Sequence, residues 1–431
     1  MTAATRNILP ELEARGLIAD LSNREELGAA LAAGNVTHYC GHDPTATSLH
    51  IGHLIPINIQ RRLQLAGHRP IAVVGGATGM IGDPSGKSDE RRLLDRDTLA
   101  ENVAGIRAQL GRFLDFDAGS AGAVLVNNFD WFGPVSFIDF LRDVGKHITV
   151  NYMLAKESVR ARLEDRDQGI SYTEFSYMLL QAWDFVTLAR DHGCRLQIGG
   201  SDQWGNITAG IELGRKLGTP QLFGATAPLL LDASGQKMGK TASGERVWLD
   251  PTRTSPYALY QYLVNVDDAV APSMLRKFSF RPLEELDEIV RVHDADRAKR
   301  TAQRELARDL TRWVHGDAGL RRAEIATGLM FGGGLGDLRD DDLEPLASEI
   351  GCADVPRADL DRGVGIVDLL VRTGLTKSKS EATRLIAGGG VSLNDERVTA
   401  PGRAVTTADL ATPTFLLLRS GKRNYKLVRA R

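Results

Sequence analysis

Short apolar runs alternate with amphipathic stretches through the first half of the chain. Pro70-Ile-Ala-Val-Val-Gly-Gly, Ala123-Val-Leu-Val-Asn-Asn and Arg195-Leu-Gln-Ile-Gly-Gly each read as a buried strand ending in glycine or polar residues. Between them, Leu93 to Phe113 and Phe137 to Val144 carry apolar residues at helical spacing. Strands alternating with helices predict an α/β fold: a parallel sheet covered on both faces, with ligands at the carboxyl edge of its strands. From about Ser255 to Gly332 the pattern becomes helical. From Gly333 to Arg362 it reads as a glycine-containing, acidic connector around Asp340-Asp341-Asp342, and a last compact unit runs from Gly363 to Arg431.

A helix is also predicted over Tyr172 to Arg190. Most of its sides are apolar, but Tyr177, Gln181 and Asp184 fall at i, i+4 and i+7, a single polar stripe. Such a stripe is either the solvent face or, given an amide, a phenol and a carboxylate with no lysine or arginine, the wall of an amino-acid pocket.

Size and charge narrow the class. The chain has 431 residues, with 42% hydrophobic and 25% charged, the profile of a globular protein of two or three domains. No apolar run approaches the roughly 18 residues of a membrane span. The amino terminus lacks the apolar core of a secretion signal, and Cys40, Cys194 and Cys352 have no paired spacing, so a cytoplasmic location is expected. The net charge of −2 is uneven: Gly363 to Arg431 holds 12 Lys+Arg against 5 Asp+Glu, leaving the preceding residues strongly acidic. That contrast points to a polyanionic partner, nucleic acid first, or to a mixed solvated surface.

Four loops carry candidate chemistry. In Tyr39-Cys-Gly-His-Asp-Pro-Thr-Ala-Thr-Ser-Leu-His50-Ile-Gly-His53, Gly41, Asp43 and Pro44 suggest a turn, with Ser48 capping a helix from about Leu49. His50 and His53 then share its first turn, beside the hydroxyl of Thr45. A polyphosphate at the positive helix end, a metal, or ordinary helix polarity would each suit them. Gly75 to Lys87 resists the G-x-x-x-x-G-K-[ST] pattern, because only three residues separate Gly82 from Gly86. It remains a glycine loop on which Lys87 and Arg91 suit a phosphate and Asp83 an ammonium group, or else plain surface. Asp202, after Gly199-Gly200 and before Gln203, suits a ribose hydroxyl or a helix cap. Lys237-Met-Gly-Lys240-Thr241 places two lysines on a glycine-rich loop.

Taken together, these stretches resemble a class I aminoacyl-tRNA synthetase. His50-Ile-Gly-His53 matches the H-I-G-H signature, and Lys237-Met-Gly-Lys240-Thr241 resembles the K-M-S-K-S loop, in the right order. Tyr39 to Asp43, Gly75 to Lys87, Tyr172 to Asp184 and Gln197 to Gln203 extend the resemblance, along nearly the whole chain, to bacterial tyrosyl-tRNA synthetases. The resemblance implies a Rossmann-like parallel-sheet catalytic domain over residues 1–250 that includes a dimer-interface insertion. It further implies an α-helical anticodon-recognition domain over 251–335, an acidic linker over 336–362 and a small basic α+β RNA-binding domain over 363–431. By the same resemblance Tyr39 and Asp184 bind the tyrosine phenol, and Asp83, Tyr177 and Gln181 its ammonium. Gly41, Asp43, His50, His53, Gly200, Asp202, Gln203 and Lys240 meet ATP, and Thr45, Lys87, Arg91, Lys237 and Lys240 meet the departing pyrophosphate. Lys377, Lys379 and Arg384 meet RNA phosphates.

The implied partners are ATP with Mg²⁺, L-tyrosine, tRNA(Tyr) and a second copy in a homodimer, with no resident metal and no membrane. Trp183 stands where the family often has a smaller aromatic, Gly239 replaces a serine of the class signature as is common among the tyrosine enzymes, and Pro56 is expected to kink the helix after His53. Tryptophanyl-tRNA synthetase shares the signatures, but Tyr39 paired with Asp184 and the basic tail argue against it. A non-catalytic, synthetase-derived RNA-binding protein is opposed by intact His50, His53, Lys237 and Lys240.

Overall fold

The computed structural model of the chain describes residues 6–85, 95–164, 169–241, 244–331, 334–336, 338–347, 350–421 and 424–431. It divides into two compact units, Met1–Thr254 with Asn265–Leu310, and Ser255–Val264 with Thr311–Arg431.

The first unit is built on β1 (Asp20–Leu21), β2 (Thr37–His42), β3 (Arg69–Val74), β4 (Val124–Asn127), β5 (Cys194–Gly200) and β6 (Phe223–Ala227). Their spatial order is β1-β6-β5-β2-β3-β4. Every pair from β6 to β4 is parallel, and β1 closes one edge antiparallel. The chain winds outward from β2 through β3 to β4, then returns to the other side of β2 for β5 and β6. That reversal opens a crevice at the carboxyl ends of β2 and β5. The three predicted strands are β3, β4 and β5. β2 is central to the sheet yet has no clear apolar pattern; it keeps Gly41 as a strand residue, and the chain leaves the sheet only at Asp43.

The helix Tyr172–His192 forms for local reasons. Ser171 caps it by accepting from Glu174 N, one acid, Glu174, lies in its first turn and Arg190 and His192 in its last, and Gly193 ends it at φ 63°. Its Phe185 and Leu188 join Tyr39, Ile71 and Val73 in one buried core. Its Met178, Ala182 and Val186 join Ala209 and Leu213 of the helix Trp204–Lys216 in another.

The second unit holds the strands β7 (Cys352–Val355), β8 (Val364–Gly365), β9 (Val391–Leu393), β10 (Glu396–Arg397), β11 (Ala404–Val405), β12 (Phe415–Ser420) and β13 (Asn424–Ala430). Five of them form a sheet in the order β10-β9-β12-β13-β7, and β11 pairs with β8. The helices Ile366–Arg372 and Lys379–Ala387 contribute Ile366, Leu369, Leu370 and Ile386 to a core that also takes Leu416 and Leu418 from β12.

Two expected boundaries differ. The stretch read as a linker contributes β7, which lies parallel to β13, and a helix whose Leu360 is fully buried. The helical stretch read as one domain is shared, with Ala271–Phe278 and Leu283–Ala295 in the first unit and Pro256–Val264 in the second.

Candidate active site

A cavity of about 920 Å³ opens in the first unit at the carboxyl ends of β2, β3, β5 and β6. Tyr39, Gly41, Asp43, Thr45, His50, His53, Asp83, Tyr177, Gln181, Asp184, Gly200, Asp202, Gln203 and Lys237 all line it. Residues spread over nearly 200 positions of sequence thus share one space. Lys87 and Arg91 lie outside the described residues. Lys240 is exposed and is not among the cavity walls.

The polar stripe of the long helix faces inward. Tyr177 and Asp184 are each only 4% exposed. Asp184 is held by two donors, Trp131 Nε1 to Oδ1 at 2.9 Å and Asn128 Nδ2 to Oδ2 at 3.2 Å. Burial nevertheless pushes its carboxyl up to about 8, against the pull of those two bonds. Tyr39 is buried, edge-on to Phe185 at 5.3 Å, and its hydroxyl has no hydrogen-bond partner among the described residues. Burial and the neighbouring Asp184 carboxyl hold that phenol well above its usual range. An unpaired buried hydroxyl costs free energy that a ligand group can recover.

A second polar knot lies nearby. Gln203 Nε2 donates to Asp83 Oδ2 at 2.6 Å, and Ser85 N donates to Asp83 Oδ1 at 2.9 Å. Asn206 Nδ2 lies 3.1 Å from Gln181 Oε1 and 3.4 Å from Asp83 Oδ1, which ties the two together. Tyr177 donates to Asp43 Oδ2 at 2.8 Å, and Thr78 to Asp43 Oδ1 at 2.7 Å. Gly75 permits this approach, since a Cβ there would sit 2.2 Å from Asp43 Oδ1.

The histidine pair is arranged differently from the expectation. Ser48 does not cap a helix; it bonds Gln109 and Leu49 instead. The first turn is a 3₁₀ helix, Ile51–His53, with His50 as its cap. His50 Nδ1 accepts from Gly52 N, and His53 Nδ1 accepts from His50 N, both at 3.1 Å. Each accepting Nδ1 leaves the ring proton on Nε2. Burial depresses His53 to about 4 and His50 further still, so both rings are neutral donors at pH 7. Because the α-helix proper starts at Leu54, Pro56 falls in its first turn, where a missing N–H breaks no intrahelical bond.

Asp202 caps nothing: it lies inside the short turn Ser201–Gln203 and pairs with Lys237 Nζ at 3.3 Å. The Lys237 loop is itself tied to the histidine motif, through Ile51 N to Val247 O at 3.0 Å and Leu249 N to Leu49 O at 2.9 Å. Asn128, Trp131, Thr78, Asn206 and Arg246 are absent from the expected set. Asn128 ends the apolar run of β4, and that position after a strand was the available signal for it.

In the second unit Lys377, Lys379 and Arg384 are exposed at and within the helix Lys379–Ala387, which Ser378 caps. Lys379 Nζ is engaged with Asp368 Oδ1 at 2.6 Å.

Comparison with known proteins identifies the family. Residues 32–332 match the family "tRNA synthetases class I (W and Y)", and residues 348–428 match "Tyrosine–tRNA ligase SYY-like C-terminal domain". The chain is 50% identical over 427 residues to a tyrosine–tRNA ligase of Rhodopirellula baltica, covering 99% of this chain and 97% of that protein. To the corresponding protein of Opitutus terrae it is 51% identical over 424 residues, covering 98% and 99%. Among solved structures, a C-terminally truncated mitochondrial tyrosyl-tRNA synthetase of Aspergillus nidulans superposes with a TM-score of 0.68 at 30% identity, over 75% of this chain and 94% of that one. A tryptophanyl-tRNA synthetase of Encephalitozoon cuniculi shares the fold, with a TM-score of 0.52 at 16% identity over 78% and 89%. The chain belongs to the tyrosine–tRNA ligases of the class I tRNA synthetase family.

Proposed function

We propose that this chain is a tyrosine–tRNA ligase that first joins L-tyrosine to AMP and then passes the tyrosyl group to tRNA(Tyr). One observation carries the choice of amino acid: the orphaned Tyr39 hydroxyl and the doubly braced Asp184 carboxyl line the same buried cavity. A phenol hydroxyl entering there meets a donor and an acceptor at once, whereas phenylalanine would leave the Tyr39 hydroxyl orphaned and give the Asp184 carboxyl no further donor. The ammonium is assigned to Asp83, Tyr177 and Gln181. In the structure Tyr177 bonds Asp43, and Asp83 bonds Gln203, so substrate binding re-partners these groups.

In the first step a carboxylate oxygen of tyrosine attacks the α-phosphorus of ATP. The bond from that phosphorus to the bridging oxygen breaks, and pyrophosphate leaves with the electron pair. No covalent nucleophile is required of the chain, only positioning and charge. The Nε2–H groups of His50 and His53 donate to ATP oxygens, together with the hydroxyl of Thr45 and the backbone around Gly41 and Gly200. Lys237 leaves Asp202 for the departing pyrophosphate, which frees Asp202 for the nucleotide, and Gln203 is released when Asp83 turns to the ammonium. Mg²⁺ belongs to the ATP complex as substrate. In the second step a ribose hydroxyl of the tRNA's terminal adenosine attacks the tyrosyl carbonyl carbon, and AMP leaves.

The homodimer is supported by an exposed apolar surface on the short helices Phe137–Asp143 and Val150–Leu154. Phe137 is 62%, Ile138 69% and Val150 59% exposed there. Lys377 and Arg384, exposed and in no ion pair among the described residues, are assigned to RNA phosphates, and Lys379 joins them once released from Asp368. A cytoplasmic setting is supported by three unpaired cysteines, and no described helix is long and apolar enough to cross a membrane.

The test is exchange of labelled pyrophosphate into ATP, run separately with tyrosine and tryptophan. Exchange with tyrosine alone is expected; exchange with tryptophan alone would transfer the assignment.

A further inference from the structure

The segment around Lys237 is a small antiparallel hairpin. Lys240 faces Arg246 across it, flanked by Val247 N to Gly239 O at 2.9 Å and Thr241 N to Glu245 O at 2.7 Å. This is the pattern of a non-hydrogen-bonded pair, in which opposed Cα atoms are about 4.5 Å apart and the two side chains share one face. Like charges placed so are destabilising unless an anion lies between or beside them. Among the described residues neither Lys240 nor Arg246 makes an ion pair, whereas Lys237 has Asp202.

Arg246 also lines the active-site cavity together with His50, His53 and Lys237, where Lys240 does not. Stacking on Trp248 does not account for it. Its guanidinium is 5.7 Å from that ring, while Arg253 already covers the ring at 3.6 Å. Arg246 also acts on both imidazoles, helping to keep His50 and His53 unprotonated.

We propose that Arg246 is a phosphate-binding residue of this site, the cation that receives the β- and γ-phosphates of ATP and the pyrophosphate they become. The inference rests on the adenylate-forming reading above and adds to it a residue outside both signature motifs. A planar guanidinium takes two phosphate oxygens at once, which a lysine cannot. Lys240, next to it on the same face, lies within reach of the same polyanion.

Two measurements test it. Calorimetric titration with inorganic pyrophosphate needs no catalysis, and Arg246→Gln is expected to weaken binding about tenfold. In tyrosine-dependent exchange, Arg246→Gln and Arg246→Ala should each raise the KM for pyrophosphate about tenfold and leave the KM for tyrosine within about twofold. Arg246→Lys, which keeps the charge but loses the fork, should recover only part of the loss. Pyrophosphate affinity and KM within about twofold of the parent in both the Gln and Ala variants would overturn the proposal, whatever their melting temperatures do. A parent that binds pyrophosphate through Arg246 but shows no exchange would instead sink the adenylate-forming reading and leave this one standing.

Discussion

Trp131 Nε1 donates to Asp184 Oδ1 at 2.9 Å, joining an indole just past β4 to a carboxyl on the helix Tyr172–His192. With Asn128 on the other oxygen, the bond fixes the plane of the carboxyl proposed as the acceptor for the phenol. The fold retains a buried acid at a cost, because the pKa is raised to about 8.

That cost gives opposite signs for stability and function. A carboxyl whose folded pKa exceeds its unfolded value of 3.8 favours the fold below that value, and the advantage is lost as pH rises through about 8. The loss of stability between pH 6 and pH 8 is therefore expected to be smaller in Asp184→Asn than in the parent, by about 1–3 kcal/mol in urea denaturation. Asp184→Ala is expected to lower the preference for tyrosine over phenylalanine by at least about tenfold, roughly 1.4 kcal/mol, with a smaller effect on ATP. Unchanged discrimination would remove Asp184 from the phenol pocket.

His42 should carry one share of the acid sensitivity, alongside the other buried histidines. It is 3% exposed, its Nε2 has no partner among the described residues, and burial lowers its pKa from 6.5 to about 3. Above pH 6.5 the ring is neutral in both the folded and unfolded states and contributes nothing to the pH dependence. As pH falls from 6.5 towards 3 only the unfolded chain takes up the proton, so stability declines. His42→Phe should remove up to about 2 kcal/mol of that decline between pH 7.5 and pH 5. Parallel stability curves for the two proteins would contradict it.

Lys237 sits 3.3 Å from Asp202 on a largely exposed loop. A lysine that changes partner as pyrophosphate charge develops acts on the transition state more than on bound ATP. Stopped-flow measurement of adenylate formation on Lys237→Ala should give a rate about 100-fold slower with the KM for ATP changed less than about threefold. A large KM effect with the rate intact would make Lys237 a ground-state contact.

For the second unit, the double variant Lys377→Ala/Arg384→Ala should weaken tRNA binding at every sequence alike. It should also flatten the dependence of log K on log salt by about one to two units. An unaltered salt slope would move the RNA contact to another face.

Much of the first unit was legible because period and composition act locally. The runs that became β3, β4 and β5 are apolar and bounded by glycine, and the Tyr177–Gln181–Asp184 stripe is a property of one helix. β2 was not legible: Thr, two His, Tyr, Cys and Gly give no alternation, and only its pairing with β3 and β5 makes it a strand. The braces of the site were equally hidden, since Trp131 and Asn128 reach Asp184 across more than 50 residues. At Ser48 the local preference for serine as a cap lost to a tertiary partner, Gln109, and an imidazole took the capping role. β7 lay inside an acidic stretch, and its four residues order only against β13.

The reciprocal bonds between His50 and His53 have a consequence for regulation. Because each ring offers one nitrogen to the backbone and carries its proton on the other, the pair holds a single tautomer from well below neutrality upward. Acidification of the surroundings by a unit or more from neutral would leave the two contacts proposed for the nucleotide unchanged. Protein synthesis under acid stress would then be throttled elsewhere in the pathway, not at this pair.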